Sequence, residues 1–151
     1  MKTIPVTLRH ICLEIANLDR SMKFYGPLFA ATGFTKIMGD KEYAGFSNGA
    51  IEWFLCKSRP RRVSRKPPTG QEFVVSEHLA FLLESPKDVD RIAAHMKKAG
   101  IEPLFPPEEH PIFSPGFYAA SFCDPDQVVI EFYYRPPAKK AAGKKVPRSG
   151  S

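Results

Sequence analysis

One order of elements is legible twice along this 151-residue chain. Strand, helix and three more strands are expected in the first half, and the same succession follows at a spacing of about 70 residues. A repeat of this kind constrains the fold more than any composition figure. Each unit carries one helix, which covers one face of its sheet, so two units placed together leave a hollow between their other faces. In the first unit Leu8 to Ile15 alternates as a strand does. Asn17 or Asp19 caps a helix carrying Leu18, Met22, Tyr25 and Phe29, which Gly26-Pro27 should kink or interrupt and Gly33 should end. Phe34 to Met38, Tyr43 to Ser47 and Ala50 to Cys56 read as strands, the last two joined by an Asn48-Gly49 hairpin turn.

The second unit opens with a strand from Glu77 to Leu83. Ser85-Pro86-Lys87-Asp88 then supplies a cap, a proline at the first helical position and an acid in the first turn. Val89, Ile92, Ala93 and Met96 form the apolar stripe, and Gly100 closes the helix. Glu102 to Phe105, Phe117 to Cys123 and Val128 to Tyr134 follow as strands, the last pair joined by Asp124-Pro125-Asp126-Gln127. The fold class is α+β: two βαβββ modules whose curved mixed sheets enclose a metal-binding cavity. Residues 1–134 form a single domain of modules 7–57 and 72–134, with a basic linker at 58–71 and a basic disordered tail at 135–151.

Charge excludes less than it suggests. The net +6 comes from Lys57 to Lys66 and Arg135 to Ser151, each with six basic residues and no acid. The remainder carries ten basic residues against sixteen acids, so no folded basic face is expected and nucleic acid is not an expected partner. No apolar run reaches the roughly 18 residues of a membrane span, and Met1 to Cys12 has no signal-peptide core, so no membrane partner and a cytoplasmic location are expected. Cys12, Cys56 and Cys123 form no CxxC pair and read as small buried hydrophobes.

Strand alternation locates the chemistry. His10, Cys12 and Glu14 share one face of the first strand, opposite Ile11, Leu13 and Ile15. Glu52, Phe54 and Cys56 share a face of the fourth strand, His78, Ala80 and Leu82 of the fifth, and Val129, Glu131 and Tyr133 of the eighth. Each module thus carries one His on its first strand and one Glu on its last, both on the face away from the helix. Singly, these are an ordinary packed histidine and an ordinary paired glutamate. Together, His10, Glu52, His78 and Glu131 would supply two imidazole nitrogens and two carboxylate oxygens to one divalent ion, with Zn, Ni, Co, Fe or Mn all suited to such donors.

The segments Leu8 to Tyr25, Glu77 to Phe81 and Phe122 to Phe132 resemble the opening module, the second module start and the closing hairpin of the vicinal oxygen chelate superfamily, which includes glyoxalase I, bleomycin-resistance proteins, fosfomycin-resistance proteins and extradiol dioxygenases. The resemblance spans roughly residues 7 to 134. It implies paired βαβββ modules and a divalent metal on His10, His78 and Glu131, with Glu52 matching the fourth ligand of glyoxalase I. It further implies a glyoxalase-like lyase or isomerase acting through an enediolate, with Glu131 as catalytic base and Glu52 as ligand or second base. The expected partners are a small-molecule substrate, a thiol adduct among the options, and a second copy of the chain. Phe54, Tyr118, Tyr133 and Cys12 are expected to line the cavity, and His110 to sit in a loop over its mouth. His95 reads as surface. Gln127 stands where the family has a turn glycine, so that turn should take a conformation a Cβ tolerates. Two other functions fit the pattern: an extradiol-type dioxygenase or thiol transferase using His10, His78 and Glu131 alone, and a metal-free small-molecule binding protein.

Overall fold

The computed structural model describes residues 7–58 and 78–137. The expected linker from residue 59 onward and the tail from residue 138 lie outside the described residues. The elements run β1 (His10–Ile15), α1 (Leu18–Thr32), β2 (Thr35–Gly39), β3 (Tyr43–Ser47), β4 (Glu52–Lys57), β5 (His78–Leu82), α2 (Pro86–Lys98), β6 (Phe105–Glu109), β7 (Tyr118–Cys123) and β8 (Val129–Tyr134). They form two four-stranded sheets of matching order, β1-β4-β3-β2 and β5-β8-β7-β6. In each, the first strand pairs in parallel with the last, and the other pairings are antiparallel. The sheets are curved but do not close.

The caps explain where the helices begin. Asn17 accepts from the Arg20 amide at 2.8 Å, and Ser85 does the same for Asp88 at 3.3 Å. Gly33 ends α1 at a φ of 76°, a value glycine takes without a steric penalty. Val89, Ile92, Ala93 and Met96 are the buried stripe of α2, as their spacing required.

Two local expectations are corrected. Pro27 does not break α1, which runs unbroken from Leu18 to Thr32. His95 is exposed, as expected, and its Nε2 lies 3.0 Å from the Pro27 carbonyl oxygen, which joins α2 to α1. The sixth strand lies further along than Glu102 to Phe105, at Phe105–Glu109, and includes Pro106 and Pro107. A sheet edge tolerates those prolines because their missing N–H groups face no partner strand, and the register shifts there between Phe105 and Glu108.

The core runs between the sheets and the helices and is continuous across the modules. Trp53 of β4 stacks on Phe81 of β5 at 5.4 Å, and Phe81 stacks on Phe132 at 5.6 Å. Tyr25, Phe29 and Phe34 pack around the same indole. A polar clamp adds to this seam. The buried Tyr25 hydroxyl of α1 donates to Asp124 at 2.6 Å, in the turn between β7 and β8, and Arg20 pairs with Asp126. Gln127 keeps a left-handed φ of 70°, contrary to expectation. Asp124 accepts from the amides of Asp126 (2.8 Å) and Val128 (2.7 Å), and these bonds offset a backbone cost of about 1–2 kcal/mol.

Candidate functional site

The faces turned away from the core carry the residues that alternation assigned to them. In the first module Ile11 and Ile15 are buried while His10, Cys12 and Glu14 are exposed. On β4, Trp53 and Leu55 are buried, which leaves Glu52, Phe54 and Cys56 on the other face. His10 and Glu52 are direct register partners across the parallel β1–β4 pair. The His10 ring meets the Phe54 ring edge-on at 6.0 Å. This half of the site is open to solvent.

The second module is built differently at the same place. His78 faces Val129 in the register, and Glu131 faces Ala80, so the acid lies diagonally from the histidine. The two side chains still meet, with His78 Nε2 at 3.0 Å from Glu131 Oε2. Glu131 is only 7% exposed. Burial pushes its carboxyl above the usual carboxylate range, and the neighbouring His78 and His110 partly offset that rise. The loop after β6 brings His110 to this face. His110 Nε2 is 3.8 Å from a Glu108 oxygen, and its ring packs beside Phe113 and Phe117. Phe117 stacks on Tyr133 at 5.1 Å, which seats the loop against β8. The β5–β8 face therefore has a buried acid in contact with an imidazole, a second imidazole and an aromatic wall.

The structure unites His78, Glu131, His110 and Tyr133 on one face, and His10, Glu52, Cys12 and Phe54 on the other. Among the described residues, no three His, Cys, Asp or Glu side chains are grouped so as to hold a metal ion. The donor chemistry thus suits a divalent cation in two halves that one chain does not gather into a single shell. Tyr118 is not part of either face. Its hydroxyl donates to Asp90 of α2 at 2.8 Å, which sets it on the helical side of β7 with Ala120 and Phe122. The cysteines also differ from expectation: Cys12 is exposed, and Cys56 and Cys123 are half-buried. Among the described residues, no helix lies over the face that carries Cys12 and Cys56.

One residue escaped the sequence reading. Ser121 of β7 is the register partner of Glu131, is 1% exposed, and its Oγ has no hydrogen-bond partner. An orphaned buried hydroxyl costs about 1–3 kcal/mol, and this one lies on the same face as the buried acid. Alternation along Ala119-Ala120-Ser121-Phe122 was the signal that would have found it. A cavity of about 700 Å³ opens elsewhere, at the seam on the helical side, with Leu28, Phe34, Trp53, Phe81 and Ile92 among its walls. None of His10, Glu52, His78 or Glu131 lines it.

Comparison with known proteins agrees with this architecture. Residues 7–132 match the Glyoxalase/Bleomycin resistance protein/Dioxygenase superfamily. The uncharacterized protein YqjT of Bacillus subtilis (strain 168) is 30% identical over 130 residues, covering 82% of this chain and 95% of that protein. A glyoxalase/bleomycin resistance protein/dioxygenase from Nocardioides superposes with a TM-score of 0.64 at 20% identity, over 93% of this chain and 90% of the other. A lactoylglutathione lyase from Agrobacterium tumefaciens superposes with a TM-score of 0.61 at 17% identity, over 87% and 96%. At these identities the structural likeness speaks for the fold.

Proposed function

The chain belongs to the Glyoxalase/Bleomycin resistance protein/Dioxygenase superfamily, and from that premise we propose that it is a metal-dependent lyase or isomerase of the glyoxalase I kind. Its substrate is a small molecule with oxygens on neighbouring carbons, a thiol adduct of a 2-oxoaldehyde being the natural candidate. The observation that carries this reading is the buried Glu131 carboxylate, held 3.0 Å from His78 on the face that His110 also approaches. A general base works best when its proton affinity lies near the working pH, and burial moves a carboxyl in that direction.

His10, Glu52, His78 and Glu131 would hold the divalent cation, which when bound supplies Lewis acidity to the substrate oxygens. The chain's own residues do the rest. Glu131 takes the proton beside the substrate carbonyl and returns it at the adjacent carbon. His78 Nε2 and the Glu131 carboxylate lie 3.0 Å apart, which keeps two of the four donors together. Phe117 and Tyr133 wall the space beside it, and His110 faces it from the loop. The open His10–Glu52 half and the closed His78–Glu131 half complete each other between two copies of the chain, so the working form is a homodimer. Exposed Leu82, on the same face as His78, is apolar surface that such a partner would cover.

The test is elemental analysis of the purified protein, its mass in solution, and turnover of a methylglyoxal–thiol adduct. The reading requires stoichiometric divalent metal, a dimer, and turnover that a chelator abolishes and added metal restores. Full activity in metal-free protein would overturn it.

A further inference from the structure

Cys12 and Cys56 stand on neighbouring parallel strands, β1 and β4, with their sulfur atoms 3.3 Å apart. Cys12 faces Phe54 in the register and Cys56 faces Glu14, so the two thiols approach along a diagonal of the pair. Both lie on the face that, among the described residues, carries no helix. Free cysteines are ordinarily buried as small apolar groups. Here one is exposed and the other half-buried, so core packing does not account for the pairing. The sulfurs need to close by about 1.3 Å from their present 3.3 Å to reach disulfide bond length. Among the described residues β1 is an edge strand paired with β4 alone, which gives the backbone room to accommodate that step.

We propose that Cys12 and Cys56 form a peroxide-responsive dithiol, a modification site that closes to an intrachain disulfide across β1 and β4. The oxidant is a hydroperoxide, either hydrogen peroxide or an organic one. The Cys12 sulfur, the more exposed of the two, attacks the terminal peroxide oxygen. The O–O bond breaks, water or an alcohol leaves, and Cys12 becomes a sulfenic acid. The Cys56 sulfur then attacks that sulfur. The S–S bond forms, the S–O bond breaks, and the oxygen leaves as water with the remaining thiol proton. In all, two thiols are oxidised and one peroxide is reduced. Burial and the neighbouring Cys12 thiol raise the Cys56 thiol, which leaves the more exposed Cys12 as the sulfur that meets the peroxide first. The disulfide would tie the edge strand to its neighbour two residues from His10. The step requires neither a bound cation nor turnover.

Cys123 supplies the internal control, since it sits at the end of β7 with its sulfur 3.8 Å from the Gln127 side chain. The experiment treats the full-length reduced chain with a slight excess of hydrogen peroxide, then reads intact mass and non-reducing peptide maps. The expected product has lost about two mass units, the two thiol hydrogens, returns to the starting mass with dithiothreitol, and maps to a Cys12–Cys56 link. Cys123→Ser should form the same link at the same rate. Cys12→Ser and Cys56→Ser should each lose it, and Cys56→Ser should instead gain oxygen at Cys12. Persistence of both thiols, overoxidation of each without a link, or a link to Cys123 in the untreated fold would each overturn the proposal. Because the first reading is made on the unaltered chain, it holds even if a variant folds poorly.

Discussion

The two modules share one strand order but present their acid and imidazole in different states. In the first, His10 and Glu52 are direct register partners and His10 is exposed. In the second, Glu131 is displaced by two residues from the partner of His78, is buried, and lies 3.0 Å from the His78 ring nitrogen. The loop carrying His110 and Phe117 covers the second face, and the first has no such cover among the described residues. Duplication therefore conserved the scaffold and not the electrostatics. A buried, paired carboxylate is suited to moving a proton, while an exposed pair on an open face is suited to receiving something from outside.

The sharpest way to break this comparison is to remove one acid at a time. Glu131→Gln should lower turnover of the thiol adduct by about 10²–10⁴-fold with circular dichroism unchanged, the loss typical of a general base. Glu52→Gln should lose metal, as read by competition with a chelator, and lose turnover with it, part of which saturating metal restores. Equal losses from the two would show that the halves do the same work. Full activity in Glu52→Gln would favour the dioxygenase or transferase chemistry that uses only His10, His78 and Glu131.

Two smaller effects sharpen the contrast through the seam. Tyr25→Phe removes the hydroxyl that ties α1 of the first module to Asp124 beside β8. A loss of about 1–3 kcal/mol in urea-melt stability is expected, because both partners are buried. No measurable change would mean that the aromatic stack alone joins the modules. Smallest is the response of Asp124→Asn to pH. Burial raises the Asp124 carboxyl, and that outweighs its hydrogen bonds from Tyr25 and two backbone amides. A carboxyl raised by folding favours the folded state while protonated, and this contribution is lost as pH rises through its folded-state value. Stability of the parent chain should thus fall, relative to Asp124→Asn, between acid and neutral pH. Parallel melting profiles across that window would contradict the assignment.

Much of this was legible beforehand for local reasons. The stripe Val89, Ile92, Ala93 and Met96 follows from helical period, and the caps at Asn17 and Ser85 from unsatisfied amides. The faces holding His10, Glu52, His78 and Glu131 follow from the two-residue period of a strand. Tyr118 went astray because its face depends on where β7 enters its sheet, which Asp90 on a distant helix helps to set. Pro106 and Pro107 concealed a strand because only sheet order reveals that it is an edge.

The amino-acid order by itself determined the repeat, the helices and which side chains share a face, since each depends on neighbours within a few residues and on fixed backbone periods. Only the tertiary structure decided the rest. Register placed Glu131 against Ser121 and diagonal to His78, chain crossing brought the sulfurs of Cys12 and Cys56 together, and a turn in one module received the tyrosine of the other. Those are contacts between residues far apart in the chain, and no local period encodes the distance between them.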